Sequence, residues 1–169
     1  MINNVAANGH WPAVISMSLG GDRSQSLDDA VQEAVNQGIP VVVAAGNNFG
    51  ADACTQSPAG APAAITVGAS DRQDHAAPFS NIGSCLDIWA PGVDIVSDWN
   101  TGDTATMTLS GTSMATPAVA GVVALLLEDG KAKTTSDARS NLNSAAVDIN
   151  FNSQSTNRFV QAQASRING

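Results

Sequence analysis

Apolar positions along this chain fall into short blocks whose period changes from strand-like to helix-like and back. Val14 to Leu19 is a short apolar segment closed by Gly20-Gly21, a strand running into a turn. Ser26 then offers an N-cap, with Asp28 and Asp29 in the first turn complementing the helix dipole. Leu27, Ala30, Val31, Ala34 and Val35 recur on one helical face until Gly38 stops the helix. Ile39 to Ala45 is apolar without alternation, the pattern of a strand covered on both faces of a parallel sheet. Strand, helix, strand in this order is one right-handed crossover unit, which makes the class α/β with a mostly parallel sheet.

Gly46 to Gly60 is a polar loop, and Ala64 to Gly68 reads as another buried strand. Leu86 to Ala90 is a further short strand before Pro91-Gly92. Two edge-like strands follow, near Ile95 to Trp99 and Ala105 to Leu109, joined by a Gly-Asp turn. A long helix begins around Ser113 and ends near Asp129-Gly130. Ser136 caps a shorter one running to about Ala146, and beyond Asp148 the tail is polar up to Arg158-Phe159-Val160. No internal repeat, heptad or low-complexity tract interrupts this order.

Composition narrows the picture. At 169 residues, 43% hydrophobic, the chain is one domain's worth, residues 1–169, with enough apolar material for a sizeable core. The net charge of −8 argues against nucleic acid and anionic membranes as partners, since both require a basic face. The longest apolar run, Ala118 to Leu127, is broken by Gly121 and fits a buried helix, not a membrane span. The N-terminus has no basic region followed by an apolar one, so it does not read as a signal peptide. Two cysteines, Cys54 and Cys85, leave a disulfide and two free thiols equally open.

The chemistry concentrates in Ser110-Gly111-Thr112-Ser113-Met114-Ala115-Thr116-Pro117. A strand ends at Leu109, a glycine permits a tight turn, and Ser113 stands where a helix begins. Free backbone N–H groups and the positive dipole end gather there, so negative charge developing beside Ser113 is stabilised. Pro117 is compatible with this only near a helix start. A bare serine at such a junction is ordinarily just an N-cap. The eight-residue string argues for a nucleophile instead.

That string resembles the serine signature of the subtilisin-like proteases, most closely the proteinase K-like and aqualysin-like branch. Ser16-Met17-Ser18-Leu19-Gly20-Gly21 resembles the family's substrate-pairing strand, and Val42-Val43-Ala44-Ala45-Gly46-Asn47 the strand whose terminal Asn supplies an oxyanion-hole amide. Val67-Gly68-Ala69-Ser70, Phe79-Ser80-Asn81 and Ala90-Pro91-Gly92 resemble its connecting framework, and Ala118 departs from it where a His usually follows Thr-Pro. Asn47 also has an independent argument: an amide at the C-terminal end of a buried parallel strand faces the crevice where α/β sites lie, and it donates without a charge to desolvate.

The resemblance implies a three-layer fold and a serine endopeptidase that works through an acyl-enzyme. It implies that Ser113 and Asn47 are catalytic and that Ser18, Leu19, Gly20, Ala44, Ala45 and Gly46 line the substrate. It further implies a Cys54–Cys85 disulfide, a structural Ca²⁺ held by Asp87 and the carbonyls of Pro62 and Ala64, and secretion. The expected partners are polypeptides with apolar or aromatic residues before the cut, met by a monomer. Yet a serine needs a base, and the base an orienting carboxylate. In this family the order is Asp, His, Ser. Neither upstream motif is present, and neither histidine, His10 or His75, matches the catalytic position. The sequence therefore reads as the C-terminal portion of a subtilisin-like peptidase domain, with the N-terminal part of the fold missing and completed from elsewhere. By itself it is inactive; the alternative is a non-catalytic pseudoprotease that binds peptides. Nucleotide-binding and α/β-hydrolase readings lack G-x-G-x-x-G, a Walker motif and G-x-S-x-G.

Overall fold

The computed structural model describes residues 12–148 and 155–160. The chain runs β1 (Ile15–Met17), β2 (Gly21–Asp22), α1 (Gln25–Asn36), β3 (Val41–Ala44), a single 3₁₀ turn (Ala53–Thr55) and β4 (Gln56–Ser57). It continues through β5 (Ile65–Ser70), β6 (Ile88–Pro91), β7 (Ile95–Asp98), β8 (Thr106–Leu109), α2 (Thr112–Glu128), α3 (Thr135–Ala145), β9 (Val147–Asp148) and β10 (Arg158–Phe159). Six strands form one sheet in the order β1-β3-β5-β6-β10-β9, parallel except for the β10–β9 pair. The expected α/β class with a mostly parallel sheet is what the chain adopts.

The unalternating strand explains the layering. In β3, Val41 and Val43 face Val31 and Ala34 of α1, whereas Val42 faces the opposite side, where Val119 and Val123 of α2 lie. All four β3 residues are buried, as a strand covered on both faces must be. α2 and α3 share that second side through Val119, Val123, Ala138 and Leu142. A third cluster is built on Trp89, which is fully buried and donates its Nε1–H to Thr156 O at 2.8 Å. Gly68 makes room for it: a Cβ there would stand 2.6 Å from the indole ring.

Two helix starts differ from expectation. α1 is capped by Ser24, whose Oγ accepts from Leu27 N, and not by Ser26. Ser24 is fixed from outside the helix, because its N–H donates to Ser57 Oγ at 2.9 Å. Asp28 is buried and paired with Arg23 at 3.0 Å, so it does more than face the helix dipole. α3 is capped by Thr134, two residues before Ser136, through a capping box closed by Asp137. The β2–β4 ribbon, Gly21↔Ser57 and Asp22↔Gln56, has no signal in the local pattern.

Among the described residues β1 is one of the two edge strands of the sheet. Beside it Val14, Met17, Leu27 and Ala30 line an apolar groove of about 440 Å³, so part of the predicted α1 face is left open here. Among the described residues no helix is long and apolar enough to cross a membrane.

Cys54 and Cys85 form a disulfide with Cα atoms 5.3 Å apart. It closes a loop across a sequence separation of 31 residues. On loop-closure entropy that bond contributes about 3–4 kcal/mol. Cys54→Ser/Cys85→Ser is accordingly expected to lower the melting temperature by roughly 10 °C. An equal melting temperature for the two proteins would show that the link adds no stability.

Candidate active site

Ser113 is the second residue of α2, so its N–H is one of the donors that have no acceptor within the helix. The Ser113 side chain is half-buried, and its Oγ donates to Ser18 O at 3.3 Å. In return Ser18 Oγ donates to Ser113 O at 2.7 Å. Pro117 makes this exchange available. Lying four residues on and having no N–H, it cannot claim the Ser113 carbonyl as an ordinary helical residue would. The proline thus sits deeper in the helix than its first turn, and the carbonyl it frees is tied to the loop after β1.

Asn47 follows the end of β3 and is clamped by its carbonyl side. Its Oδ1 accepts from Thr112 N at 2.9 Å and from Thr112 Oγ1 at 3.0 Å. Thr112 Oγ1 also accepts from Gly46 N at 3.2 Å, so one threonine orients the loop and the amide together. With Oδ1 held, Nδ2 is turned away as a donor, and it has no hydrogen-bond partner among the described residues. Both free donors lie near Gly111: a Cβ placed there would stand 3.6 Å from Ser113 N and 3.7 Å from Asn47 Nδ2.

Leu19, Gly20, Ala44, Gly46, Asn47 and Ser113 border one cavity of about 330 Å³. Ser18 touches Ser113 from beside it. Ala45 departs from the rest: it is fully buried, its N–H donates to Val67 O, and its carbonyl accepts from Asn81 Nδ2 at 2.9 Å. The main-chain groups of Gly46 are likewise taken, by Thr112 Oγ1 and Asn81 N. The main chains of Ala45 and Gly46 are thus bonded within the protein, whereas Leu19 is exposed.

The cavity holds residues the sequence did not single out. Gln56 Nε2 donates to Asn48 Oδ1 at 2.9 Å, and Asn81 Nδ2 donates to Gln56 Oε1 at 3.0 Å. This gives the cavity a neutral amide floor, with Asp22 on its rim through the β2–β4 pairing. Gly46, at φ 101°, has to be glycine, since a Cβ would come within 2.4 Å of Asn81 Nδ2. No local signal marks Gln56, which the β2–β4 pairing brings here; Asn81, read in the sequence only as connecting framework, bonds to it from the 79–81 segment.

Among the described residues no histidine, aspartate or glutamate is hydrogen-bonded to Ser113. His75 is 72% exposed and pairs with Asp71 at 3.5 Å within its own loop. The His75 backbone N–H is the main reason the Asp71 carboxyl is held below its ordinary value. His10 lies outside the described residues.

The oxygens expected to hold Ca²⁺ have another partner. Arg139 on α3 donates through Nη2 to Ala64 O and, at 3.2 Å, to Pro62 O, while its Nε lies 3.0 Å from Asp87 Oδ1. Asp87 Oδ2 accepts from Thr66 N at 2.8 Å. Burial pushes the Asp87 carboxyl above its ordinary value, with the Arg139 charge and the Thr66 N–H acting against it. Calcium takes six to eight oxygens at about 2.3–2.6 Å, and these oxygens are committed to a cation already in place. As arranged, they do not fit the ion.

A family model described as Subtilase family, Peptidase S8, matches residues 2–166. The chain is 58% identical over 124 residues to an extracellular serine proteinase of Thermus sp. (strain Rt41A), covering 73% of this chain and 30% of that protein. It is 50% identical over 132 residues to alkaline serine exoprotease A of Vibrio alginolyticus, covering 78% of this chain and 24% of that one. It superposes with TM-score 0.88 and 44% identity on the crystal structure of a cold adapted subtilisin-like serine proteinase, over 96% of this chain and 59% of the other. The chain thus spans about a quarter to a third of the length of the curated relatives it matches.

Proposed function

From the premise that this chain belongs to the subtilase family, we propose that it supplies the nucleophile and oxyanion-binding half of a secreted serine endopeptidase. The base and its orienting carboxylate come from a further segment that packs along the open side of β1. The observation that carries this reading is that Ser113, with its N–H free in the first turn of α2, and Asn47, with Nδ2 free, border one cavity and lie close together near Gly111.

The chemistry follows from the donors. Ser113 Oγ attacks the peptide carbonyl as its proton passes to the base, and the oxygen that becomes negative accepts from Ser113 N–H and Asn47 Nδ2. Collapse breaks the C–N bond, the base returns the proton to the leaving amine, and an acyl-Ser113 ester remains for water to hydrolyse. An extended peptide pairs along the exposed Ser18-Leu19-Gly20 side, its side chain before the cut entering the cavity bordered by Ala44 and Gly46. The neutral floor takes uncharged side chains, apolar and aromatic ones included. The disulfide and the extracellular relative both support secretion. Members of the family commonly bind calcium. Nothing in this proposal passes through an ion at Asp87, Pro62 and Ala64, where Arg139 stands.

The test is hydrolysis of a peptide anilide by the chain alone and by the chain mixed with a subtilase segment carrying the Asp and His motifs. No turnover is expected alone, and turnover is expected from the mixture. Turnover by the chain alone that vanished in Ser113→Ala would overturn the division between two segments. A stable complex that hydrolysed nothing would favour a peptide-binding protein instead.

A further inference from the structure

Three oxygen donors meet at the sheet end where β5 and β6 begin. Ala64 immediately precedes β5, and Asp87 immediately precedes β6. Together with Pro62 they border a cavity of about 260 Å³ that Ser84 and Arg139 also line. Oxygen atoms gathered this way repel one another unless a cation lies among them. We propose that the Arg139 guanidinium is the resident cation of this cradle, replacing a metal ion, so that this corner of the fold is locked by the chain itself.

The geometry suits a guanidinium. Nη2 carries two N–H groups and has two carbonyl acceptors, Ala64 O and Pro62 O, while Nε forms an ion pair with Asp87 Oδ1 at 3.0 Å without a directed hydrogen bond. A planar fork of fixed donors satisfies this arrangement more fully than the point charge of a lysine ammonium. The arginine is delivered accurately because its helix is fixed on both sides of it. The Thr134–Asp137 capping box sets the start of α3, and Ala138 and Leu142 are buried against the core. Asn141 Nδ2 adds a bond to Lys131 O at 3.0 Å.

A divalent ion entering this cradle would have to displace Arg139 or share the oxygens with it at close range, against a like charge. The difference from a metal is thermodynamic. A bound ion stabilises in proportion to ln(1 + [L]/Kd) and is lost on dilution or chelation. A side chain is present at an effective concentration that nothing in solution can lower. In place of an exchangeable ion, the link between α3 and the starts of β5 and β6 becomes independent of calcium.

The experiment uses calcium itself as the probe, with stoichiometry read by titration calorimetry and stability by thermal melts in calcium or chelator. Wild type and Asp87→Asn are expected to bind the same number of calcium ions. Arg139→Gln keeps the stem and removes the charge; it is expected to bind one more per chain than wild type. Its melting temperature should then rise with calcium, and both gains should vanish in Arg139→Gln/Asp87→Asn. Loss of one calcium from wild type on Asp87→Asn would overturn the proposal, because the ion would then be using the cradle with Arg139 present. A folded Arg139→Gln that gained no calcium would overturn it equally, since the cradle would then not be a cation site. The comparison of wild type with Asp87→Asn does not require the Arg139 variant to fold, and neither readout depends on catalysis.

Discussion

Ser113→Ala, in the chain reconstituted with a segment that carries the base, is expected to lower kcat by about 10⁶-fold while leaving the fold intact. The reason is local. Oγ is the atom proposed to form the acyl bond, and the residue is half-buried, so removing one oxygen leaves no large void. Its hydrogen bond to Ser18 O is long, at 3.3 Å, and its loss costs little. The reciprocal bond, Ser18 Oγ to Ser113 O, survives the change because it uses the backbone carbonyl. Circular dichroism of the variant should therefore match wild type while burst-phase acylation disappears. Residual activity above about one part in 10³ would show that another group carries the covalent step.

Asn47→Leu is expected to lower kcat by about 10²–10³-fold with little change in KM. Leucine keeps the volume but removes Nδ2, one of two free donors near Gly111, while Ser113 N–H remains. Donation to charge that exists only in the transition state acts on kcat, not on ground-state binding. The substitution also strips the acceptor from Thr112 N and Thr112 Oγ1. Thr112→Val separates these effects. It leaves Nδ2 and the bond from Thr112 N to Oδ1 in place and removes only the bonds of the hydroxyl, so its loss should be smaller than that of Asn47→Leu. If Asn47→Leu hydrolysed peptides as fast as wild type, Asn47 would not be a donor to the oxyanion. Should Thr112→Val prove worse than Asn47→Leu, Thr112 would matter to the fold more than to the amide.

The strands and helices that build the sheet were legible because each follows from its own residues. Ile39 to Ala45 is apolar at every position, and a strand of that kind has to be covered on both faces; β3 is, by α1 on one side and α2 on the other. The Ser113 string was legible for the same reason, since its glycine, its helix start and its proline are consecutive. Helix caps were less so. Ser24 and Ser26 compete on equal terms locally, and the contact of Ser24 N with Ser57 Oγ, from a segment 33 residues away, decides between them.

What the sequence determined by itself is the family signature around Ser113 and Asn47 and the order of elements along the sheet. These rest on runs of neighbouring residues and on a pattern of burial that repeats along the chain. What only the tertiary structure decided is how polar groups are satisfied across long separations. The Ala45 main chain is consumed by Val67 and Asn81, Gln56 becomes the floor of the cavity through the β2–β4 ribbon, and Arg139 reaches oxygens 77, 75 and 52 positions earlier in the chain. Asp87, Pro62 and Ala64 read identically in the sequence whether calcium or an arginine fills the space between them. The choice belongs to whichever cation the packing delivers. Here α3, seated by Ala138 and Leu142 on the core, delivers a guanidinium.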